Sequence, residues 1–400
     1  MGNWVPESPQ CRIHRLCSYM KIDHIHFFVE DAASQRDWFV QSLGWTWLKQ
    51  ATLPDRNLEI LGHRDTLFLL SSPRRSDSPV AQYLRHHGPG VADVAVEVND
   101  LAAVLRRLKM SDLQNSVQDI SSPEDTRYPG PQTPNSAAPL CPILTQLIDL
   151  PPHRPPSAWA SIIGWGSLRH TLIQRLPTQE QPAQKSLPPV SQGIDHIVLN
   201  VPTGELQAAA SFYQQLFELQ KQQQFNIQTD QSGLRSQVLF SPASQLYFNI
   251  NEPTSVKSQI QAFLDANRGA GIQHIALHSQ PLVPTITTLR QRGVPLLSVP
   301  ITYYEQLQRR LRSQPAPPVP PQEWQQIVEQ QILIDWQPQQ PQSLLLQIFS
   351  QPIFPDHHFF FEFIERRQAV QGFGEGNFLA LYQAIEAMEK GMGNVEAKLP

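Results

Sequence analysis

Three short apolar runs of this 400-residue chain each carry one side chain able to bind a metal. "GIDHIVLN" (193–200) holds His196, "GIQHIALH" (271–278) holds His274, and "FFFEFIER" (359–366) holds Glu362. Two neutral imidazoles and one carboxylate, with other coordination positions open, form the facial set that suits non-haem Fe(II) in oxygen chemistry. Either histidine alone reads more simply as a hydrogen-bonded core or surface residue. Glu362 resists such a reading, because a carboxylate among phenylalanines is costly unless paired or metal-bound. A helical His pair across "HIALH", as in zinc hydrolases, is disfavoured: no Glu follows the first His, and the run is β-like. As a strand it sets His274 and His278 roughly 13 Å apart, too far to share one ion.

These runs need elements that aim them at one point, and the chain builds those elements twice. "KIDHIHFFVED" (21–31) matches "GIDHIVLNVPT" (193–203), and "GPGVADVAVEV" (88–98) matches "GAGIQHIALHS" (269–279). "GSLRHTLIQR" (166–175) matches "HHFFFEFIER" (357–366). Three matches in one order mark an internal duplication. The aligned positions in the first copy are His24, Asp93 and Thr171, which keep one such ligand, so metal is expected in the second copy alone. Period two puts Ile194, His196, Val198 and Asn200 on one strand face. Glu362 shares a face with Phe360 and His358, a rival ligand, while Glu365 falls on the other.

Each half reads strand, helix, several strands, then helix and strands again, an α+β class made of duplicated βαβββ modules. In the second half strands are expected near 194–201, 223–229, 234–240, 245–250, 271–278, 294–299, 331–336, 343–349 and 359–365. Helices fit 204–219, 256–267, 281–292, 303–312 and 377–390. The last has Phe378, Leu381, Tyr382, Ile385 and Met388 at helical spacing, with Asn377 able to cap its start and Gly391 after its end.

Of the 37 prolines, 19 cluster in 121–142, 150–156, 177–192 and 313–323. The third cluster has no hydrophobic period and reads as an interdomain linker. The expected organisation is a flexible extension (1–19), a first domain without metal that carries a Pro-rich insertion (20–178), a linker (179–192) and a catalytic domain (193–400). With a net charge of −4 and no basic run, nothing favours nucleic acid. No window of 18 apolar residues and no signal-peptide region is present, so no membrane partner is expected and a cytoplasmic location follows by default. Three cysteines without CxxC spacing indicate neither a disulfide framework nor a zinc ribbon.

At these residues the chain resembles the 4-hydroxyphenylpyruvate dioxygenase family, of the vicinal-oxygen-chelate, glyoxalase-like fold. The resemblance runs from about residue 21 to 391 and is carried by "DHIVLNVP", "INEP" (250–253), "KSQIQAFL" (257–264), "GAGIQHIAL", "TYYEQL" (302–307), "LLLQIF" (344–349), "FFFEFIER" and "GFGEGNFLALYQAIE" (372–386). It implies two open-barrel domains and a ferrous ion on His196, His274 and Glu362. It further implies an arylpyruvate and O2 as reactants, oxidative decarboxylation, ring hydroxylation and side-chain migration to homogentisate. Ser236, Asn251, Gln259, Gln273 and Gln347 fall where the family contacts its substrate. Gln273 precedes His274, so a role for it needs the strand to bend or a relay through other glutamines. Phe349, Phe360, Phe373 and Phe378 match the aromatic pocket, and core packing is the competing reading of each. Three glycines (372, 374 and 376) leading into the last helix resemble a hinged lid, with Asn377, Phe378 and Leu381 on its inner turn. Self-association as a homo-oligomer is also implied.

The chain departs from the family at Asn249, where a proline is frequent, and in its Pro-rich runs. Alternatives stay open: a 4-hydroxymandelate synthase sharing iron and substrate, an extradiol ring-cleaving dioxygenase, and a non-catalytic binding protein of the same fold.

Overall fold

The computed structural model describes residues 20–110, 142–147, 150, 156–175, 193–228, 232–299, 301–313, 317–337, 339–354, 356–368, 370, 372–374 and 377. The extension 1–19, most of the Pro-rich run 121–142, the linker 179–192 and the expected helix 377–390 after its first residue lie outside the described residues, and with them Phe378 and Leu381.

Two sheets hold the described strands. The first comprises β1 (Met20–Phe28), β2 (Thr46–Thr52), β3 (Arg56–His63), β4 (Thr66–Pro73), β5 (Gly90–Val98), β6 (Ala158–Ile163) and β7 (Arg169–Gln174), in the order β2-β3-β4-β1-β5-β7-β6. The second comprises β8 (Ile194–Asn200), β9 (Gln220–Gln228), β10 (Gly233–Ser241), β11 (Leu246–Pro253), β12 (Gly271–His278), β13 (Leu333–Gln337), β14 (Gln340–Phe349) and β15 (Phe360–Arg367). Its order, β9-β10-β11-β8-β12-β15-β14-β13, repeats the first and adds one edge strand. Both sheets have two parallel pairs at equivalent places: β1 with β4 and β5 with β7, β8 with β11 and β12 with β15.

The register repeats residue by residue. His24 lies opposite Ala95 as His196 lies opposite Ala276. Asp93 lies opposite Arg169 as His274 lies opposite Phe360. Ser161 faces Thr171 as Phe349 faces Glu362. The two copies can therefore be compared position for position.

The central strands β8, β11, β12 and β15 of the second sheet are buried on both faces, whereas the edge strand β9 is largely exposed. On β15, Phe361 turns away from Phe360 and Glu362 and meets first-half aromatics, with ring centroids 6.0 Å from Phe39 and 5.6 Å from Trp45. The helix Leu206–Phe217 buries Leu206, Ala209, Ala210, Tyr213 and Leu216 along a helical stripe. Tyr213 ties the halves: its hydroxyl accepts from the Trp165 N–H at 3.2 Å and lies 3.0 Å from His170 Nε2. One continuous apolar cluster includes residues of both halves. Each fully buried Phe in it contributes about 2–3 kcal/mol.

Two expectations need correction. The run 294–299 makes only an isolated bridge, Leu296 to Ser350, because Pro295 has no N–H to offer a ladder. A helix, Pro321–Glu329, begins inside the last Pro-rich run, 313–323, and continues through residues for which no helix was expected. Proline at a first helical position loses no hydrogen bond, so the Pro-Pro pair starts this helix rather than preventing it.

Candidate metal centre and its pocket

Three adjacent strands, β8, β12 and β15, deliver His196, His274 and Glu362 to one point. Glu362 Oε2 lies 3.2 Å from His196 Nε2 and 3.6 Å from His274 Nε2. One ligand atom from each of the three falls within 4.8 Å of the others, and all three residues are buried. Glu362 Oε1 is buried with no hydrogen-bond partner among the described residues. His358, the rival ligand, is not in this cluster.

The electrostatics favour a cation here. Burial opposes a charged His196, but Glu362 and Asp195 outweigh it and raise its pKa to about 9. Burial, and then the His196 charge, hold His274 well below the ordinary imidazole value. A single positive charge is thus stabilised against Glu362, and an open carboxylate oxygen stands beside two ring nitrogens. That donor set fits a divalent metal.

Aromatic rings close around the ligands. Phe360 stacks on His274 at 4.7 Å, and Phe349 meets Phe360 edge-on at 6.0 Å. Phe373 presents its edge to His196 at 5.2 Å and to Tyr247 at 5.1 Å. These walls exclude water and strengthen every polar contact within them.

A polar row crosses the same sheet. Asn200, Asn251 and Ser236 are successive cross-strand partners on β8, β11 and β10. The Ser236 hydroxyl is buried with no hydrogen-bond partner among the described residues. Gln273 joins this row because β12 is irregular at that point: the register against β8 shifts between Ile272 and His274. The bend that regular alternation would deny Gln273 lets its Oε1 accept from Asn200 Nδ2 at 2.8 Å. Gln347 Oε1 accepts from Asn377 Nδ2 at 3.3 Å, and its own Nε2 is buried without a described partner. Gln259 stands half-buried at the first position of the helix Gln259–Asn267.

Asn377 is buried, and its Oδ1 lies 2.9 Å from the Tyr303 hydroxyl. Gly374 has φ +69°, and a Cβ there would collide with Gln347 Oε1. Glycine is thus required where this segment crosses the pocket.

Some residues of the site carried no clear sequence signal. Asp195 accepts from His196 Nδ1 at 2.8 Å, and Arg366 holds Asp195 through Nε at 2.6 Å. The repeated Ile-Asp-His of residues 22–24 and 194–196 was the available hint for Asp195. Tyr303 lies in the quoted "TYYEQL", and Tyr247 in no motif.

Fold and site define a duplicated, glyoxalase-like sheet with a candidate metal centre in its second copy. Residues 193–310 match the model of the Glyoxalase/Bleomycin resistance protein/Dioxygenase superfamily. The chain is 30% identical over 397 residues to 4-hydroxyphenylpyruvate dioxygenase of Sus scrofa, covering 94% of this chain and 93% of that one. It is 34% identical over 373 residues to an uncharacterized protein of Synechocystis sp., covering 93% and 98%. A 4-hydroxyphenylpyruvate dioxygenase of Legionella pneumophila is 42% identical over 193 residues, covering 48% of this chain and 53% of that one. Among solved structures, a mutant 4-hydroxymandelate synthase from Streptomyces coelicolor superposes with TM-score 0.71 at 24% identity, covering 92% and 98%, a likeness of fold. The chain belongs to the 4-hydroxyphenylpyruvate dioxygenase family.

Proposed function

We propose that this chain is a 4-hydroxyphenylpyruvate dioxygenase, which uses Fe(II) held by His196, His274 and Glu362 to convert 4-hydroxyphenylpyruvate and O2 to homogentisate and CO2. The observation that carries the reading is the convergence of two imidazoles and one carboxylate in the second copy, where the first copy has His24, Asp93 and Thr171. When bound, the ion would supply dioxygen activation and a Lewis acid for the 2-oxo acid group.

The chain's own residues do the rest. Asp195 keeps the His196 proton on Nδ1, which leaves Nε2 free as a ligand. Phe349, Phe360 and Phe373 grip the substrate ring and keep water from the oxidant. Ser236, Asn251, Gln259, Gln273 and Gln347 form the polar end that orients it, since a pocket of this kind needs few, well-placed polar groups. Asn377 closes the pocket at the start of the proposed lid, to which Phe378 and Leu381 belong by sequence. In this reading 20–178 is a scaffold domain and 193–400 the catalytic one, and the enzyme is cytoplasmic and self-associating. No helix among the described residues is long and apolar enough to cross a membrane.

Anaerobic loading with Fe(II), followed by O2 and 4-hydroxyphenylpyruvate and separation of products, tests the assignment. Homogentisate with one CO2 per O2 consumed is expected. 4-Hydroxymandelate would move the chain to the synthase reaction, and protein that retains no iron would refute the ligand set.

A further inference from the structure

The first half has a cavity of about 400 Å³ at the place equivalent to the metal pocket. Its lining differs from the second-half pocket in a consistent chemical direction. Asp93 and Thr171 stand where the second half has His274 and Glu362. They satisfy each other: Asp93 Oδ1 accepts the Thr171 N–H at 2.9 Å and Oδ2 accepts its hydroxyl at 2.5 Å. Both carboxylate oxygens are engaged, and no metal-ligand cluster forms there among the described residues.

The walls change as well. Phe360 and Phe349 of the second half become Arg169 and Ser161, joined by a hydrogen bond from Arg169 Nη1 at 3.1 Å. Leu234 becomes Arg56, whose partner Pro73 matches Pro253 in register; its side chain is 5% exposed, and its Nε and Nη2 donate to the Asp55 carboxylate at 3.1 Å and 2.7 Å. Val198 becomes His26, which lies opposite Asp93 as Val198 lies opposite His274. Burial, then Arg56, His24 and Arg169, hold His26 well below the ordinary imidazole value. The cavity keeps apolar rings in Phe28, Tyr83 and Trp159.

We propose that this cavity is a second ligand site, which takes a small aromatic carboxylate. The Arg169 guanidinium suits a planar carboxylate, because forked N–H groups match its two oxygens, and Arg56, with one edge held by Asp55, has its remaining N–H groups beside it. The rings suit an aryl body, and the volume suits a molecule of that size. Duplication explains the arrangement: where the second copy has apolar residues, this copy carries Arg169 and the Arg56–Asp55 ion pair. Such an acid could be a substrate or product of the enzyme itself or an unrelated metabolite, and the site's chemistry is common to both. The inference does not depend on the reaction assigned to the second half.

Isothermal titration of the full chain with 4-hydroxyphenylacetate tests it, since this acid lacks the 2-oxo group needed for chelation at a metal. The titration is repeated on Glu362→Ala, Arg169→Gln and Ser161→Phe. Ser161→Phe puts the second half's own residue into the cavity and blocks it by volume without removing a charge. Expected is a binding event that persists in Glu362→Ala, weakens at least tenfold in Arg169→Gln and disappears in Ser161→Phe, while the last two keep wild-type turnover. Competition by 4-hydroxyphenylpyruvate and homogentisate would identify the enzyme's own reactants as the source, and failure to compete an unrelated acid. No binding, binding abolished by Glu362→Ala, or binding unchanged in both first-half variants would overturn the proposal. Displacement by inorganic phosphate at equal concentration would replace the aromatic acid with a simple anion and overturn it too.

Discussion

His196 donates its Nδ1 proton to Asp195 at 2.8 Å, and Arg366 clamps that carboxylate through Nε at 2.6 Å and Nη2 at 2.8 Å. The same Arg366 donates to the carbonyl of Gly372 at 2.6 Å, so one guanidinium links the ring that bears Nε2 to the glycine-rich segment. The first half retains this device around its surviving histidine: Asp23 bonds His24 Nδ1 at 2.7 Å, and Arg175 reaches Asp23 at 2.6 Å. The orienting carboxylate and arginine are therefore present in both copies, whichever residues complete the set. For Asp195→Asn we expect a 10–100-fold loss of metal affinity with folding retained, as for other partners of metal-binding histidines. Chelator competition measures it, and unchanged affinity would reduce Asp195 to packing.

Metal content separates the two copies. Glu362→Ala and His274→Ala should leave protein that loses Fe(II) on dialysis, whereas His24→Ala and Thr171→Ala should retain it at wild-type stoichiometry. Thr171→Ala also strips Asp93 of the Thr171 hydroxyl, which should cost about 1–2 kcal/mol of stability. Elemental analysis after dialysis, with denaturant titration alongside, checks both; iron released by Thr171→Ala would contradict the division of roles.

Tyr303 anchors the segment that closes the pocket. Its hydroxyl accepts the Ile334 N–H at 2.8 Å and has Asn377 Oδ1 and the Ile334 carbonyl at 2.9 Å for its own proton. Removing it in Tyr303→Phe should lower kcat/KM about tenfold, with a stability loss of about 1 kcal/mol. Oxygen-uptake kinetics would show a rise in KM if Asn377 positions substrate, and no change if it does not.

Acid should destabilise the first half through its buried histidines. His63 stacks on Trp45 at 5.3 Å, and burial followed by Arg64 lowers its pKa to about 4. His26 and His170 shift the same way, mainly by burial. A histidine whose folded pKa lies below its unfolded value binds its proton more weakly when folded. Its contribution is complete above about pH 6.5 and is lost as pH falls toward 4. His63→Gln should therefore flatten the stability profile across that window, by about 2 kcal/mol between its ends. Urea titrations of both proteins at pH 7 and pH 4.5 give the comparison, and parallel profiles would exclude His63 as a source of the slope.

Much of the site is readable along the chain because its signals are local. Period-two alternation puts His196, His274 and Glu362 each on one strand face, and the apolar neighbours of Glu362 announce a carboxylate with a partner. The repeated stretches carry the duplication, and with it the pairing of His196 with His24, of His274 with Asp93 and of Glu362 with Thr171. The helix Pro321–Glu329 was hidden because prolines normally signal breaks, and only position decides whether one starts a helix or ends it. The failed strand at 294–299 is the complementary case, where apolar content outweighed one proline in the middle of the run.

From residue types and spacing alone come the candidate ligand set, the doubled module and the copy proposed to hold a metal. Those properties depend on which side chains occur and on repeats of a few residues, which need no long-range information. Only the tertiary structure joins Arg366 to Asp195 across 171 positions, bends β12 so that Gln273 meets Asn200, and gathers Arg56 and Arg169 into one first-half cavity. Each of these depends on cross-strand register and on strands distant in sequence lying side by side, and register is set by packing of the whole sheet.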